Sequence, residues 1–392
     1  MANFFQRTKI LIYTAIVLFP VLLHAQIKTG AEQTDKYLPF LAKKRVGLIV
    51  NQTSVVENTH LLDTLLALKV DVRKVFAPEH GFRGDFSAGA TVKDAKDIKT
   101  GLPIISLYGK NKKPSKEMLA DIDVLIFDIQ DVGVRFYTYI STMHYAMEAC
   151  AEQKKTLLIL DRPNPNGFYI DGPVLEKQFN SFVGMHPIPL VHGLTVGELA
   201  QMINGEKWLA GGKKCNVKII PVQNYSHDMK YKLPVAPSPN LPTMEAIYLY
   251  PSLGLFEGTD VSVGRGTDYP FEVIGKPDFI AGNYDFTPKS IPGKAEDPPH
   301  KNQLCNGFRL SDFADDHIIL SKQIYLYWLE GFYKAAPKKD SFFTPFFDKL
   351  AGTDKLRKAF EQGKTPDQIH ESWKTDLANY KKMRAKYLLY KD

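Results

Sequence analysis

The feature that most constrains this chain is a series of short apolar runs, each broken off by a polar cluster. Arg45–Val50 is followed by Asn51-Gln52-Thr53-Ser54, and Val72–Phe76 runs into Pro78-Glu79-His80-Gly81. Val124–Phe127 ends in Asp128-Ile129-Gln130-Asp131, and Thr156–Leu160 ends in Asp161-Arg162. Short runs rich in β-branched residues, without polar alternation, are the pattern of strands buried on both faces. Ile104–Tyr108 and Val217–Val222 read as further strands. Between them, residues 60–70 and Tyr137–Gln153 carry helical periodicity, and Thr195–Asn204 opens with a Thr195-x-x-Glu198 capping box. Strands alternating with helices predict an α/β fold built on a parallel, doubly wound sheet. Ligands of such sheets bind beyond the carboxyl ends of the strands. The topology thus sets all four polar clusters on one edge, a crowding that packing alone does not require.

A chain of 392 residues suits about two domains. Pro234, Pro237, Pro239 and Pro242 mark a change of character, so the boundary is placed near 240, giving domains of 26–240 and 241–392. Residues 276–306 read as loops. Near the end, Thr365-Pro366-Asp367-Gln368 is a second capping box. It opens a helix with Ile369, Trp373, Leu377, Tyr380, Met383 and Tyr387 on one face.

Residues 1–25 read as a secretory leader: Arg7 and Lys9, an apolar run from Ile10 to Leu23, then His24-Ala25. An uncleaved anchor is the alternative, and no Cys offers a lipid attachment point there. No later segment is apolar for long enough to span a bilayer. The expected location is outside the cytoplasm, periplasmic or secreted. Losing the leader lowers the formal charge from +7 to +5. That excess is dispersed, which argues against a nucleic-acid partner. Cys150, Cys215 and Cys305 form no metal-binding spacing and read as buried free thiols.

Several motifs carry chemistry, each with a plainer alternative. Glu79 with His80 at a strand end, freed by Gly81, is suited to proton donation; otherwise Glu79 only bonds loop amides. Asp128 and Asp131 fit a base or a metal ligand, or they pair with Arg135. Asp161, Arg162 and Asn164 lie in a proline-stiffened loop suited to presenting side chains. Asn51, Gln130, Tyr137, Asn240 and Glu257 are candidate ligand contacts by position. Arg265, between Gly264 and Gly266, has the fork geometry of a carboxylate clamp. Glu198 reads as the acceptor of its capping box. There is no G-x-S-x-G elbow, no H-E-x-x-H, no G-x-G-x-x-G after the first strand and no Walker loop. No cofactor and no metal are expected.

Taken together these motifs resemble the exo-β-N-acetylmuramidase family, the NamZ type of glycoside hydrolase. The likeness rests on Pro78-Glu79-His80-Gly81-Phe82-Arg83-Gly84, on the stretch from Phe127 to Tyr139, and on Leu160-Asp161-Arg162-Pro163-Asn164-Pro165. It continues through Pro237–Pro242, Tyr250-Pro251-Ser252, Glu257-Gly258-Thr259, Gly264–Phe271 and Arg384–Tyr390. Val263 departs from it, since an acidic residue is expected there. The resemblance implies a Rossmann-like subdomain beside a smaller α/β subdomain, with the site in the cleft between them. It implies release of N-acetylmuramic acid from the non-reducing ends of peptidoglycan fragments. On this reading Glu79 is the acid or acid/base, with His80 beside it, and Asp131 or Asp128 is the second carboxylate; Glu257 is a weaker candidate, and the substrate acetamido group an alternative nucleophile. Arg265, or else Arg135, holds the lactyl carboxylate, and Arg83 joins the substrate contacts. Two other classes fit the residues: an exported sugar-binding module without activity, and a metal-dependent deacetylase or esterase. Oligomeric state is left open.

Overall fold

The computed structural model describes residues 26–79, 81–82, 95–109 and 111–392. The expected leader, His80 and Arg83 lie outside the described residues. Twelve strands are named in chain order. They are β1 (Arg45–Val50), β2 (Val55–Val56), β3 (Thr59–His60), β4 (Asp71–Ala77), β5 (Ala95–Lys96), β6 (Pro103–Ser106), β7 (Val124–Asp128), β8 (Thr156–Leu160), β9 (Asn216–Ile220), β10 (Val273–Lys276), β11 (Tyr284–Phe286) and β12 (Cys305–Arg309). Seven form the central sheet in the order β5-β6-β4-β1-β7-β8-β9. All neighbours in it are parallel except β5, which runs antiparallel to β6.

The continuous apolar runs follow from burial on both faces. Successive residues of β7 enter different cores: Val124 and Ile126 face one side, Leu125 and Phe127 the other. The first side is closed by Tyr37, Leu41, Leu61, Leu62 and Leu65 from short helices. The other side is covered by the helix Tyr139–Gln153, through Met143, Ala146, Met147 and Cys150. The helix Val196–Gly205 lies beside it and carries the expected capping box. All three cysteines are buried free thiols.

Past the Pro-rich stretch the chain builds a second, smaller sheet region. Its sheet is β10-β12-β11, antiparallel throughout. This corrects the loop reading of 276–306, which contains β11 and the start of β12. The strands pair through glycines: a Cβ at Gly307 would strike the Ile274 carbonyl oxygen, and one at Gly275 would lie 2.6 Å from that of Asn306. Glycine at such positions removes the β-branched signal that reveals a strand.

The long helix Pro366–Arg384 begins at the second capping box and buries Ile369, Trp373 and Tyr380. Leu377 and Met383 are packed less deeply, and Tyr387 lies past the helix end. The Tyr380 hydroxyl donates to the His192 carbonyl at 2.7 Å, so the helix is pinned to the first sheet's flank. Phe256, Phe271, Phe332 and Ile369 join the same core cluster as Phe127 and Ile159. The two parts therefore share one apolar interior, and the cleft between them has a rigid floor. Among the described residues no helix is long and apolar enough to cross a membrane.

Candidate active site

β1 lies between β4 and β7, so the chain turns in opposite directions on either side of it. A doubly wound sheet leaves its ligand crevice at such a switch. Here the loop after β1 fills it. Asn51 Oδ1 accepts from the Thr53 amide at 2.9 Å and from its hydroxyl at 2.6 Å. The Gln130 amide donates to the Thr53 hydroxyl at 3.0 Å, and the Ser54 hydroxyl bonds the Asp128 carbonyl. The open cavity lies further out, beyond the end of β4 and the segment that follows β7.

That cavity has a volume of ≈150 Å³ and is walled by both parts of the chain. Glu79, Tyr137, Thr138 and Tyr139 come from the sheet edge, and Ser238, Asn240 and Leu241 from the Pro-rich link. Tyr250, Glu257, Arg265, Phe271, Phe346 and Leu350 come from the second part. Glu79 sits just past β4, where Thr138 Oγ1 donates to its Oε2 at 3.1 Å. The Tyr139 hydroxyl lies 3.5 Å from the Glu79 carbonyl oxygen. Tyr108 also faces this carboxylate: burial, then Glu79, push its phenol up to about 12. One carboxyl oxygen is thus held by a side-chain donor while the group lines the cavity.

Arg265 lines the same cavity from the second part of the chain. Its Nε donates to Glu257 Oε1 at 2.7 Å, and its guanidinium lies 5.0 Å from the Phe271 ring centroid. Burial works against its charge, but Glu257 outweighs burial, with Tyr250 and Glu79 adding, so the pKa stays above the usual value. The flanking glycines both need positive φ, +78° and +82°, and their Cβ atoms would strike the Tyr269 and Lys289 carbonyls at 2.6 and 2.4 Å. The loop can take this path only with glycine there. Tyr250 packs edge-on to Phe136, Tyr137 and Phe271, with centroids 4.9–5.9 Å apart. These rings make an aromatic wall between the acid and the arginine.

The expected crowd at the sheet edge divides in two. Glu79, Tyr137, Asn240, Glu257 and Arg265 meet at the cavity. Asn51, Asp128, Gln130, Asp131, Arg135, Asp161, Arg162 and Asn164 are buried and do not line it. Asp128 and Arg162 form a bidentate pair at 2.6 and 3.0 Å, and Arg162 reaches a different hollow. Gln130 Nε2 donates to the carbonyls of Asp131 and Pro163. Asn164 bonds the Leu194 carbonyl and the Asn166 amide, packed where only Gly133 leaves room. Asp161 accepts from the hydroxyls of Thr195 and Tyr390 and from the Gly197 amide, which docks the C-terminal tail. Glu198 is the capping acceptor and also takes the Leu389 amide and His227.

Arg135 departs furthest from expectation. Instead of a ligand or an aspartate it finds four carbonyls: Pro173, Ile188, Leu350 and Ala351, at 2.6–3.0 Å. It ties the first part to the turn after helix Pro345–Ala351, whose Leu350 and Phe346 face the cavity. With no carboxylate nearby, burial pulls its pKa down to about 9. Arg135→Met takes a donor from all four carbonyls, of which Ile188 keeps the Leu175 amide at 3.2 Å, and is expected to cost at least about 3 kcal/mol in urea unfolding. A loss below about 1 kcal/mol would contradict the bolt assignment.

Asp131 is buried behind the tyrosine wall, with Gly133 N–H donating to its Oδ2 at 2.7 Å. Its nearest basic group is His192 Nε2, at 3.8 Å. Burial pulls that imidazole down to about 3, so it is neutral at pH 7. Burial pushes the Asp131 carboxyl up to about 7, against the pull of the Gly133 and Val132 amides. The folded chain holds this proton where the unfolded chain, near the usual 3.8, has released it. Stability from this group is complete below about pH 4 and is lost as pH rises through about 7. The melting temperature of Asp131→Asn should therefore gain on the native chain between pH 5 and pH 8. A constant difference across that range would refute the shift.

Thr138, Tyr139, Tyr250, Phe271, Phe346 and Leu350 were not singled out from the sequence as site residues. Thr138 and Tyr139 stand inside a motif that was noted; Phe346 and Leu350 carry no local signal.

Two family models divide the chain. Exo-β-N-acetylmuramidase NamZ, N-terminal, matches residues 46–245, and exo-β-N-acetylmuramidase NamZ, C-terminal, matches 248–390. This chain belongs to the NamZ family. A peptidoglycan β-N-acetylmuramidase NamZ of Bacillus subtilis (strain 168) is 41% identical over 386 residues, covering 93% of this chain and 92% of that protein. Two crystal structures of DUF1343 family proteins from Bacteroides fragilis NCTC 9343 share the fold. One, at 51% identity, superposes with a TM-score of 0.88 over 94% of this chain and 100% of its own. The other, at 34% identity, has a TM-score of 0.80 over 93% and 99%. The NamZ fold here is thus a Rossmann-like parallel sheet with a smaller α/β subdomain.

Proposed function

We propose that this chain is an exo-β-N-acetylmuramidase that releases N-acetylmuramic acid from the non-reducing ends of peptidoglycan fragments. The observation that carries the reading is a carboxyl group, Glu79, and a guanidinium, Arg265, lining one cavity at the junction of the two parts. Glycoside cleavage needs an acid beside the leaving oxygen and stabilisation of the positive charge that develops on the sugar. Glu79 gives its proton to the glycosidic oxygen while Thr138 holds the other carboxyl oxygen in place. Loss of that proton leaves a carboxylate near the cationic sugar; water then bonds the anomeric carbon and gives a proton to that carboxylate, which restores the acid. Arg265 has its Nε committed to Glu257, so its terminal nitrogens are available for the lactyl carboxylate that distinguishes muramic acid from glucosamine. The aromatic wall offers a face to the sugar ring.

Asp128 and Asp131 are not among the residues that line the cavity, and on this reading Glu257, bonded to Arg265, orients the arginine. Residues 1–25 are proposed as a secretory leader that places the enzyme outside the cytoplasm, where its substrate lies. N-terminal sequencing of the exported protein should begin at Gln26. A start at Met1 or Ala2 would refute cleavage.

The test of activity is incubation with a chromogenic N-acetylmuramide. Release of chromophore that survives chelator is expected. Binding without release would make the chain a sugar-binding module, and activity abolished by chelator would make it a metal enzyme.

A further inference from the structure

A second cleft of ≈510 Å³ is lined in part by the Pro-rich link, as the catalytic cavity is. Leu241 lines both. Its floor is apolar, with Leu233, Leu241 and Met244, and the Leu233 amide lies 3.5 Å from the Met244 sulfur. Its walls carry four charges: Lys230 and Lys232, and Glu245 and Asp315.

The arrangement of these charges is informative. Among the described residues none of the four forms an ion pair, although opposite charges share one hollow. Both carboxylates line the hollow together with Tyr248, whose phenol is pushed up to about 12 by burial first, then by Asp315 and Glu245. Glu245 comes from the first turn of the helix Met244–Leu253. Asp315 comes from a π-helical turn, Ala314–Ile318, a rare conformation that recurs at functional sites. The lysines lie on the link itself, before Pro234. The hollow therefore brings two cationic and two anionic side chains together with apolar ones.

Neutral sugar rings have no use for that pattern. A short peptide bearing both carboxylates and a free amine matches it. Peptidoglycan fragments carry such peptides on their lactyl groups. In the muramic residue bound for cleavage, Arg265 takes the lactyl group as a free carboxylate. The peptide that reaches the second cleft must then hang from a muramic residue further along the leaving saccharide. We propose that the Lys230/Lys232–Glu245/Asp315 cleft is a subsite for the zwitterionic stem peptide of the leaving chain, an inference that rests on the muramidase reading. It makes the enzyme prefer fragments whose terminal muramic acid is bare and whose next one still carries its peptide.

The experiment compares kcat/KM for three saccharides: the N-acetylmuramyl-N-acetylglucosamine disaccharide, the trisaccharide extended by a bare muramic residue, and that trisaccharide carrying a tripeptide with a diamino acid. The native enzyme should prefer the peptide-bearing trisaccharide over the bare one by about tenfold, from several partly exposed ion pairs. The preference should shrink as salt is raised. Lys230→Glu/Lys232→Glu and Glu245→Gln/Asp315→Asn should each reduce it to below about threefold. Both should cleave the disaccharide as fast as the native enzyme, which also shows that they fold. Equal rates on the two trisaccharides with native enzyme, or a preference surviving in both double variants, overturns the subsite. Failure to cleave any of the three defeats the muramidase reading instead. Calorimetry of the same peptide-bearing trisaccharide then decides the subsite by itself: binding weakened in both double variants supports it, and unchanged or absent binding overturns it.

Discussion

Glu79→Gln is expected to lower kcat on a natural muramyl-glucosamine substrate by roughly 10²–10⁴-fold, with KM changed by less than about threefold. Glutamine keeps the size of the side chain and can still meet the Thr138 hydroxyl, which holds Glu79 Oε2 at 3.1 Å. What it lacks is a proton acidic enough to reach the leaving oxygen. The loss should therefore depend on the leaving group. An aryl glycoside, whose phenolate leaves with little protonation, should lose far less than the disaccharide. That contrast separates a proton donor from a residue that merely binds sugar. If aryl and natural substrates fall equally, Glu79 is not the acid; near-native turnover on both removes it from the mechanism.

The second large effect concerns selectivity. Arg265→Ala should cut kcat/KM for muramic substrates by about 30–150-fold, the range for losing charge-assisted bonds to a carboxylate. Two physical terms act in the same direction. The fork that meets the lactyl carboxylate is gone, and Glu257, bound to Arg265 Nε at 2.7 Å in the native chain, is left facing a like charge. A glucosamine analogue, which has no lactyl group, should change by less than about threefold. Arg265→Lys should recover only part of the loss, since a single ammonium cannot serve Glu257 and the substrate with one planar fork. If both sugars fall alike, Arg265 is not the selector.

Much of the frame was legible because it follows from periodicity. β1, β7 and β8 are nearly continuous apolar runs since both faces are buried, β4 is apolar only in its second half, Val75–Ala77, and the polar residues that stop them share an edge. The turn at Gly264-Arg265-Gly266 was legible because paired glycines allow a left-handed backbone path, and both take positive φ. Which polar residues face the cavity was not legible. Asp161 and Glu79 both follow an apolar strand, yet Asp161 meets Tyr390, 229 residues away, and is sealed by it. Arg135 meets the carbonyls of Leu350 and Ala351, more than 200 residues away, which leave no mark in the sequence because every residue has a carbonyl. Thr138 looked like part of a helix start, and its bond to Glu79 crosses 59 residues. Local pattern reports which element a residue belongs to. Whether its polar atoms meet substrate or distant backbone is decided by packing.

The central claim is that Glu79 and Arg265, which line one cavity, act on one sugar. A crystal structure of the Glu79→Gln protein with N-acetylmuramyl-N-acetylglucosamine tests it most directly. The account predicts the lactyl carboxylate on Arg265 and the glycosidic oxygen within about 3.2 Å of the side chain at position 79. A disaccharide bound elsewhere, or one whose lactyl group points away from Arg265, would contradict it.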